Sequence, residues 1–372
     1  IQHIVRQAAS ADYVVMGSHG HTALYDLLVG STTHGVLMRA ECPVVIVPAA
    51  AKPAKTGKAA KPAEATPKLG VKTPGVLIPF SRLKAEAELP GAPSWIVITD
   101  SLLAPNPAGD SLDRIDLKTA QKKDPLTGVK QACSGAVSAF KSLWVADCAT
   151  GTIDRMEPKS GKVEATLNIG AGKVRFGLVA TPDSVWAFTD NKTTLSRVDP
   201  DANAVVGEIR IPASCNSMIY AESSIWVVCP EEDQLLRVNP LTNLVDQHIK
   251  VAAKPVAVAS GDGSLWVLGL KEGKIDRIDP KTNKVAKSLD LAIPGAAEGS
   301  LAYGENALWA TATGFPLMRI DTTADKEAVV QQFWGEGGGL VLTAQGAVWL
   351  TDPKASKLLK LDPKRVVATL AE

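Results

Sequence analysis

Six times between residues 144 and 349 the chain returns to a short apolar run of the Ser-Leu-Trp-Val type. Its aromatic falls at Trp144, Trp186, Trp226, Trp266, Trp309 and Trp349, in steps of 42, 40, 40, 43 and 40. One further step back, of 41, meets Leu103 in Asp-Ser-Leu-Leu-Ala, the same run with its Trp replaced. About eleven residues after each aromatic comes a second run like Leu-x-Arg-Val-Asp-Pro. It places Arg114, Arg155, Arg197, Arg237, Arg277 and Arg319 in phase, with Lys360 substituted in the seventh unit. Seven units that keep both spacings define a repeat architecture.

Within one unit the pattern reads as four short strands. Strand A is small and apolar, as in Pro255–Ala259; strand B carries the Trp, strand C the Arg; strand D is Val-rich, as in Val163–Leu167. Asp-Pro-Lys-Thr-Asn at 279–283 reads as the C–D hairpin turn, because Asp accepts backbone N–H groups and Pro sets φ. Forty residues per four-stranded unit predicts a blade of a β-propeller, in which ring closure hides the sheet edges. The expected fold is mainly β: a seven-bladed propeller over residues 71–372. Two segments have the character of a ring-sealing strand, Ala85–Leu89 before the first A strand and Val366–Leu370 at the end. The pattern leaves open which one closes the ring.

The first 48 residues follow another period. Ile1–Ser10 and Tyr25–Arg39 have apolar residues at helical spacing, while Tyr13–Met16 and Cys42–Val47 read as short buried strands. Strand–helix–strand at this length predicts a βαβ unit of a parallel sheet, a partial α/β segment over 1–48. Two strands do not complete such a sheet, and the chain opens on Ile1 inside a helical pattern. The expectation is therefore a fragment or processed product whose remaining strands lie upstream or in another chain. Residues 49–70 are Ala, Lys and Pro with one Glu and no aromatic, a composition that cannot offset its ordering entropy and reads as a linker. Its five lysines have no arginine or stacking residue beside them, which argues against a nucleic-acid tail.

Composition sharpens this only in places. Hydrophobic residues make up 45% of the 372, so the chain is globular, and a formal net charge of +1 gives no electrostatic case for nucleic acid or an anionic membrane. No run of eighteen apolar residues predicts a membrane span. Four of the five histidines, His3, His19, His21 and His34, fall in the first 35 residues, leaving His248 alone in the repeat.

Gly17-Ser-His-Gly20, nine residues, then Gly30-Ser31 forms a Gly-x2-Gly-x9-Gly-Ser motif. The stretch from Ala11 to Pro48 closely resembles the C-terminal half of a universal stress protein domain. That resemblance implies an ATP site in which Gly17, Gly20, Gly30 and Ser31 face phosphates and ribose. Glycines let backbone N–H groups approach an anion, and a helix N-terminus favours it. The family's first strand, with the acidic residue near adenine, is not in these 48 residues. The repeat resembles bacterial streptogramin lyase and YVTN-type propellers. The lyase resemblance implies a histidine general base beside a metal-binding carboxylate in the channel. Here His248 falls on an outer D strand and no metal-ligating cluster stands out. The expected function is thus a non-catalytic binding or scaffold propeller joined to a nucleotide-binding stress-protein module, with no metal. A metal-dependent lyase or hydrolase is the alternative.

Residues present in every blade serve the blade, so Trp and Arg are expected to fill and tie inter-blade space, Arg by pairing with acids. Function should sit where blades differ. Eleven residues before each aromatic, at the start of strand A, stand Ala92, Cys133, Arg175, Cys215, Pro255, Glu298 and Gly338. Arg175 and Glu298 stand out there, as do Trp334 and Glu336 in Phe-Trp-Gly-Glu-Gly-Gly-Gly; these four are the candidate face for a protein or small-molecule ligand. Two cysteine pairs flank A–B hairpins two blades apart. Centring the first hairpin on Phe140-Lys141 sets Cys133 opposite Cys148, and Cys215 and Cys229 repeat the arrangement, so two disulfides are expected with Cys42 free. Disulfides imply an oxidising compartment, periplasmic or extracellular, whereas the stress-protein segment points to the cytoplasm.

Overall fold

The computed structural model describes residues 14–18, 44–48, 77–106, 110–172, 174, 176–323 and 328–369. The chain divides into two compact units, residues 1–65 and 66–372. In the first, Val14–Ser18 and Val44–Pro48 pair in parallel, Val14 opposite Val44, as the βαβ pattern requires. The helical patterns at 1–10 and 25–39, and with them Gly20, Gly30 and Ser31, lie outside the described residues. Gly17 falls inside the first strand.

The second unit is a ring of seven sheets, each an antiparallel meander. Blade 5 is representative: strand A is Pro255–Gly261, B Ser264–Gly269, C Lys274–Asp279 and D Lys284–Asp290. Neighbouring A strands touch all the way around, including the seventh against the first. Strands B of blades 2 to 6 are buried along their whole length, because each blade is packed between two others. Strands D lie outermost and are mostly exposed. Two-residue A–B hairpins carry the paired positive φ values of type I′ turns, as at Phe140–Lys141 (53° and 59°).

The six tryptophans are buried to within 1% exposure. Leu103 takes the seventh place, pairing with Arg114 as Trp144 pairs with Arg155. Trp95, 0% exposed, is buried in the same apolar cluster as Leu103, and its indole N–H donates to Ala132 O of blade 2 at 3.2 Å. Because Trp95 stands outside the repeat register, periodicity did not mark it.

The arginines behave differently from expectation. Cross-strand pairing lays Arg155, Arg197, Arg237 and Arg277 over the Trp of their own blade, 5.2 to 6.0 Å from the ring centre. In the same four, Nε donates to a serine hydroxyl at the start of strand B: Ser142, Ser184, Ser224 and Ser264. The outer nitrogen of the guanidinium then crosses to the C–D turn of the next blade. Arg155 reaches Asn203 Oδ1 at 3.1 Å, Arg197 reaches Asn243 at 3.2 Å, and Arg237 reaches Asn283 at 2.9 Å. Acids join only in places, Asp183 on Arg197 and Glu164 on Arg155. The recurring partner is therefore a turn, not a carboxylate. Each of these asparagines has positive φ (49°, 55° and 57°), so one residue both ends the turn and receives the neighbour's arginine. Lys360 does the same across the closure, donating to Lys118 O of blade 1 at 2.7 Å.

The ring is sealed by the earlier of the two candidate strands. Ala87–Pro90 adds to Lys357–Leu361 as the fourth strand of blade 7, so that blade is built from both ends of the repeat. Residues 366–369, the described part of the later candidate, do not form a strand. Pro363 opens a short helix, Pro363–Ala368, capped by Asp362 accepting from Lys364 N at 2.8 Å. Leu77–Pro79 adds a fifth strand, parallel, to the outer edge of blade 6.

Candidate functional site

An antiparallel meander puts its connections alternately at two ends. The D–A and B–C loops share one face of the ring, here the loop face; the tight A–B and C–D turns share the other, the turn face. Three of the four candidate ligand-face residues meet on the loop face at blades 6 and 7. Thr313, in the B–C loop of blade 6, donates its N–H to Glu298 O at 3.1 Å, and its hydroxyl accepts from Glu298 N at 3.3 Å. The next residue, Gly314, donates to Gly337 O at 2.8 Å and accepts from Gly335 N at 3.1 Å. One B–C loop thus clasps the start of one A strand and the glycine-rich approach to the next. Trp334 is 50% exposed beside it, at the end of the blade 6 D strand. Arg175 lies outside the described residues.

Glu336 is exposed and paired with Lys354 at 2.9 Å. The hydrogen bond and charge of that ammonium hold its carboxyl below the usual glutamate range. Lys354 sits in the B–C loop of blade 7, away from the A-strand starts where the blades visibly differ in sequence. Solvent screening keeps such a pair weak, so it shapes the charge of the face more than its stability. The glycine run between them is steric. A Cβ on Gly338, which has φ of 138°, would lie 2.3 Å from Ala312 O. One on Gly339 would lie 2.0 Å from Thr351 O. Only glycine lets strand A of blade 7 settle this close to its neighbours.

Both cysteine pairs form disulfides at the loop-face ends of blades 2 and 4, Cys133–Cys148 and Cys215–Cys229. A β-bulge between Val145 and Asp147 moves the register, so Asp147 faces Ala132 and Cys148 N bonds Gln131 O. Cys133 is therefore diagonal to Cys148, not opposite, with the Cα atoms 5.7 Å apart and still within bridging range. Beside this bridge Asp147, 3% exposed, accepts from Lys130 N at 3.0 Å and Ala149 N at 2.8 Å, fixing both loops. Cys133 also lines a cavity of about 990 Å³ with Gly91, Ser94, Asn106, Asp113 and Lys130. Asp113 within it is paired with Lys122 at 2.7 Å and takes a hydrogen bond from Asn106.

Among the described residues no three His, Cys, Asp or Glu side chains converge in a way that would hold a metal ion. His248 is exposed on the D strand of blade 4, Leu244–Lys250, its Nδ1 3.1 Å from Gln234 Oε1. No helix among the described residues is long and apolar enough to cross a membrane.

Residues 2–48 match the model of the universal stress protein family. No curated protein matches the chain in sequence. Among solved structures, a streptogramin B lyase superposes with a TM-score of 0.60 at 16% identity, covering 73% of this chain and 94% of that one. A catalytically inactive histidine-to-alanine variant of virginiamycin B lyase from Staphylococcus aureus, with quinupristin, gives 0.59 at 16% identity, over 74% and 97%. BamB from Moraxella catarrhalis gives 0.53 at 9% identity, over 75% and 100%. At these identities the likeness is one of fold. The chain thus joins a segment matching the universal stress protein family to a seven-bladed propeller of the kind seen in streptogramin B lyase.

Proposed function

We propose that the propeller is a non-catalytic binding or scaffold module that presents its loop face to a protein or small-molecule ligand. The observation that carries this reading is the placement of chemistry. The repeat's one histidine is exposed on an outer strand, while the loops of blades 2 and 4 are pinned by disulfides and those of blades 6 and 7 by backbone clasps. A pre-set loop face loses little freedom on binding, which favours recognition. Glu298, Trp334 and Glu336, together with Arg175 of the blade 3 sequence, are the residues proposed to meet the ligand. The exposed indole of Trp334 supplies the apolar anchor. Two disulfides support a periplasmic or extracellular setting. In the first unit Gly17, Gly20, Gly30 and Ser31 are proposed to supply the phosphate side of an ATP site, which by itself grips ATP weakly because it does not hold the adenine.

The alternative, a lyase or hydrolase using a metal in the channel, is favoured only by the fold likeness to streptogramin B lyase. Incubating the protein with quinupristin and divalent cations, and following the substrate by chromatography, separates the two. Unchanged substrate is expected; turnover that survives purification of a His248→Ala variant would show a catalytic centre the scaffold reading lacks. For the first unit, isothermal titration with ATP on the chain and on Gly30→Val tests the glycine motif. Binding that ignores the substitution would remove it from the site.

A further inference from the structure

Arg319 stands apart from the other repeat cations. Its register is intact, since it pairs with Trp309 across strands B and C as Arg277 pairs with Trp266. Yet both of its usual partners are changed. The serine that receives Nε in blades 2 to 5 is Ala307 here. The C–D turn that should come from blade 7 does not exist, because strand C there ends at Leu361, the helix Pro363–Ala368 follows, and strand D is Ala87–Pro90 from the other end of the repeat. Where that turn would sit is a cavity of about 780 Å³ on the turn face. Arg319, Lys360, Lys364, Asn306 and Gln345 line it. Glu305 ties its rim together by accepting from Gly346 N at 2.9 Å, joining the A–B hairpins of blades 6 and 7. Burial lowers the Arg319 guanidinium from its ordinary value, as expected of a cation drawn out of water.

The rest of the ring shows what such an arginine binds. Arg237 holds Pro280 O at 3.3 Å and Asn283 Oδ1 at 2.9 Å of an Asp-Pro-x-x-Asn turn; Arg155 holds the same two atoms of the turn at 199–203. We propose that the blade 6–7 seam is a receptor for a proline turn of the Asp/Asn-Pro-x-x-Asn type carried by a partner polypeptide, read by Arg319 through the proline carbonyl and the asparagine side-chain oxygen. The guanidinium suits this role because its planar fork takes two oxygens at once, which an ammonium cannot. Asn306 and Gln345 offer amides to the remaining turn carbonyls, and Lys364 offers a charge for the turn's leading carboxylate. Among the described residues this seam has both the cation and the room, whereas Arg114, Arg155, Arg197, Arg237 and Lys360 each meet the turn of the neighbouring blade. The site lies on the opposite face from the proposed ligand face, so the two readings stand or fall separately.

The test is titration of a cyclic peptide enclosing Asp-Pro-Lys-Thr-Asn into the whole chain, followed by calorimetry and tryptophan fluorescence. Saturable binding is expected, weakened at least tenfold by Arg319→Ala and by Arg319→Lys, and weakened likewise when the peptide's Asn is replaced by Ala. Ala307→Ser guards against a folding artefact. It offers Arg319 the hydroxyl that Arg155, Arg197 and Arg237 hold through Nε while another nitrogen reaches the turn, so it is expected to tighten the peptide without lowering the melting temperature. No binding, binding indifferent to Arg319, or displacement by acetate at concentrations matching a plain anion site would each overturn the proposal. So would concentration-dependent self-association through the same residues, which would make the occupant a second copy of this chain.

Discussion

If the arginine that reaches from one blade into the next blade's turn ties the ring together, its removal should cost far more than a surface charge. Arg237 is the clearest case. It donates to Ser224 Oγ at 2.9 Å, Pro280 O at 3.3 Å and Asn283 Oδ1 at 2.9 Å, and it lies 5.3 Å from the Trp226 ring centre. Hydrogen bonds from a charged donor contribute about 1.5–3 kcal/mol each when buried, and a stacked cation adds about 0.5–1 kcal/mol. Three such bonds at a half-buried side chain, discounted for solvent and non-additivity, give about 3–4 kcal/mol for Arg237→Ala. Exposed ion pairs contribute about 0–1 kcal/mol, so the two accounts differ measurably. Urea unfolding followed by tryptophan fluorescence reads the loss as a lower midpoint at unchanged slope. Asn283→Gly sharpens the test, because φ of 57° suits glycine and the substitution removes the acceptor without straining the turn. The double-mutant cycle between the two should return a coupling of about 1 kcal/mol or more. A cost under about 1 kcal/mol for Arg237→Ala, or a coupling near zero, would refute the reasoning, because that is what an exposed ion pair would give.

Three further outcomes are expected. Each disulfide closes a sequence separation of 14 or 15 residues and should contribute about 3 kcal/mol, so unfolding with and without reductant should differ by about 6 kcal/mol, and unreduced mass spectrometry should recover the two linked pairs. Gly338→Ala should destabilise by about 2–4 kcal/mol, since its Cβ meets Ala312 O at 2.3 Å in a backbone conformation of φ 138°, whereas Gly346→Ala, with open space around its Cβ, should cost less. Turn backbone N–H groups hold the carboxyls of Asp116, Glu157, Asp199 and Asp279 below their ordinary values, so their stability is present above the unfolded pKa and lost as pH falls through the folded one; Asp154, raised by burial, has the opposite sign and stabilises less as it ionises. Unfolding free energy measured from pH 3 to 7 should therefore rise with pH.

How far the sequence carried depended on whether a residue served the repeat. Blade count, strand order and the role of Leu103 followed from spacing alone, because a period of about forty residues with two markers admits one register. What the arginines bind did not follow. Asn203, Asn243 and Asn283 recur visibly, but the contact spans about 46 residues of sequence, and a motif read within one unit cannot show that its partner lies in the next. The bulge that turned Cys133 away from direct opposition with Cys148 is set by a local backbone choice near Gly135, whose φ is 88°. Val366–Leu370 has a strand's apolar content, yet Asp362-Pro363 in front of it starts a helix, since the cap and the fixed φ act before the side chains are tested. On the candidate face, Glu298, Trp334 and Glu336 came together because they depart from the repeat near one B–C loop. Lys354 carries no such mark, because it reaches Glu336 from the B–C loop of the next blade.

Departures from the repeat are of two kinds, and the geometry separates them. Leu103, Lys360, the lost C–D turn after Leu361 and the added strand Leu77–Pro79 all fall where blades 6, 7 and 1 meet. A ring made from one linear chain must join its ends somewhere, and the joining blade takes strands from both. Substitutions there answer to that constraint. Trp95 is buried in the same apolar cluster as Leu103 and bonds Ala132 O, and Lys360 reaches a carbonyl where the other blades send arginine. Each has a partner, so each needs no ligand to explain it. Arg319 is different in kind, because the residue is conserved in form across the repeat while its serine and its turn are both gone. Closure explains the missing turn but not the retained arginine. A chain free to vary there would replace a half-buried cation that has lost its serine and its turn and keeps only the attraction of Asp321, as burial without full compensation costs free energy. Retention beside a cavity of the right size is what a binding role on the turn face would require, and it is why that seam, more than the channel, is where a partner of this propeller should be sought.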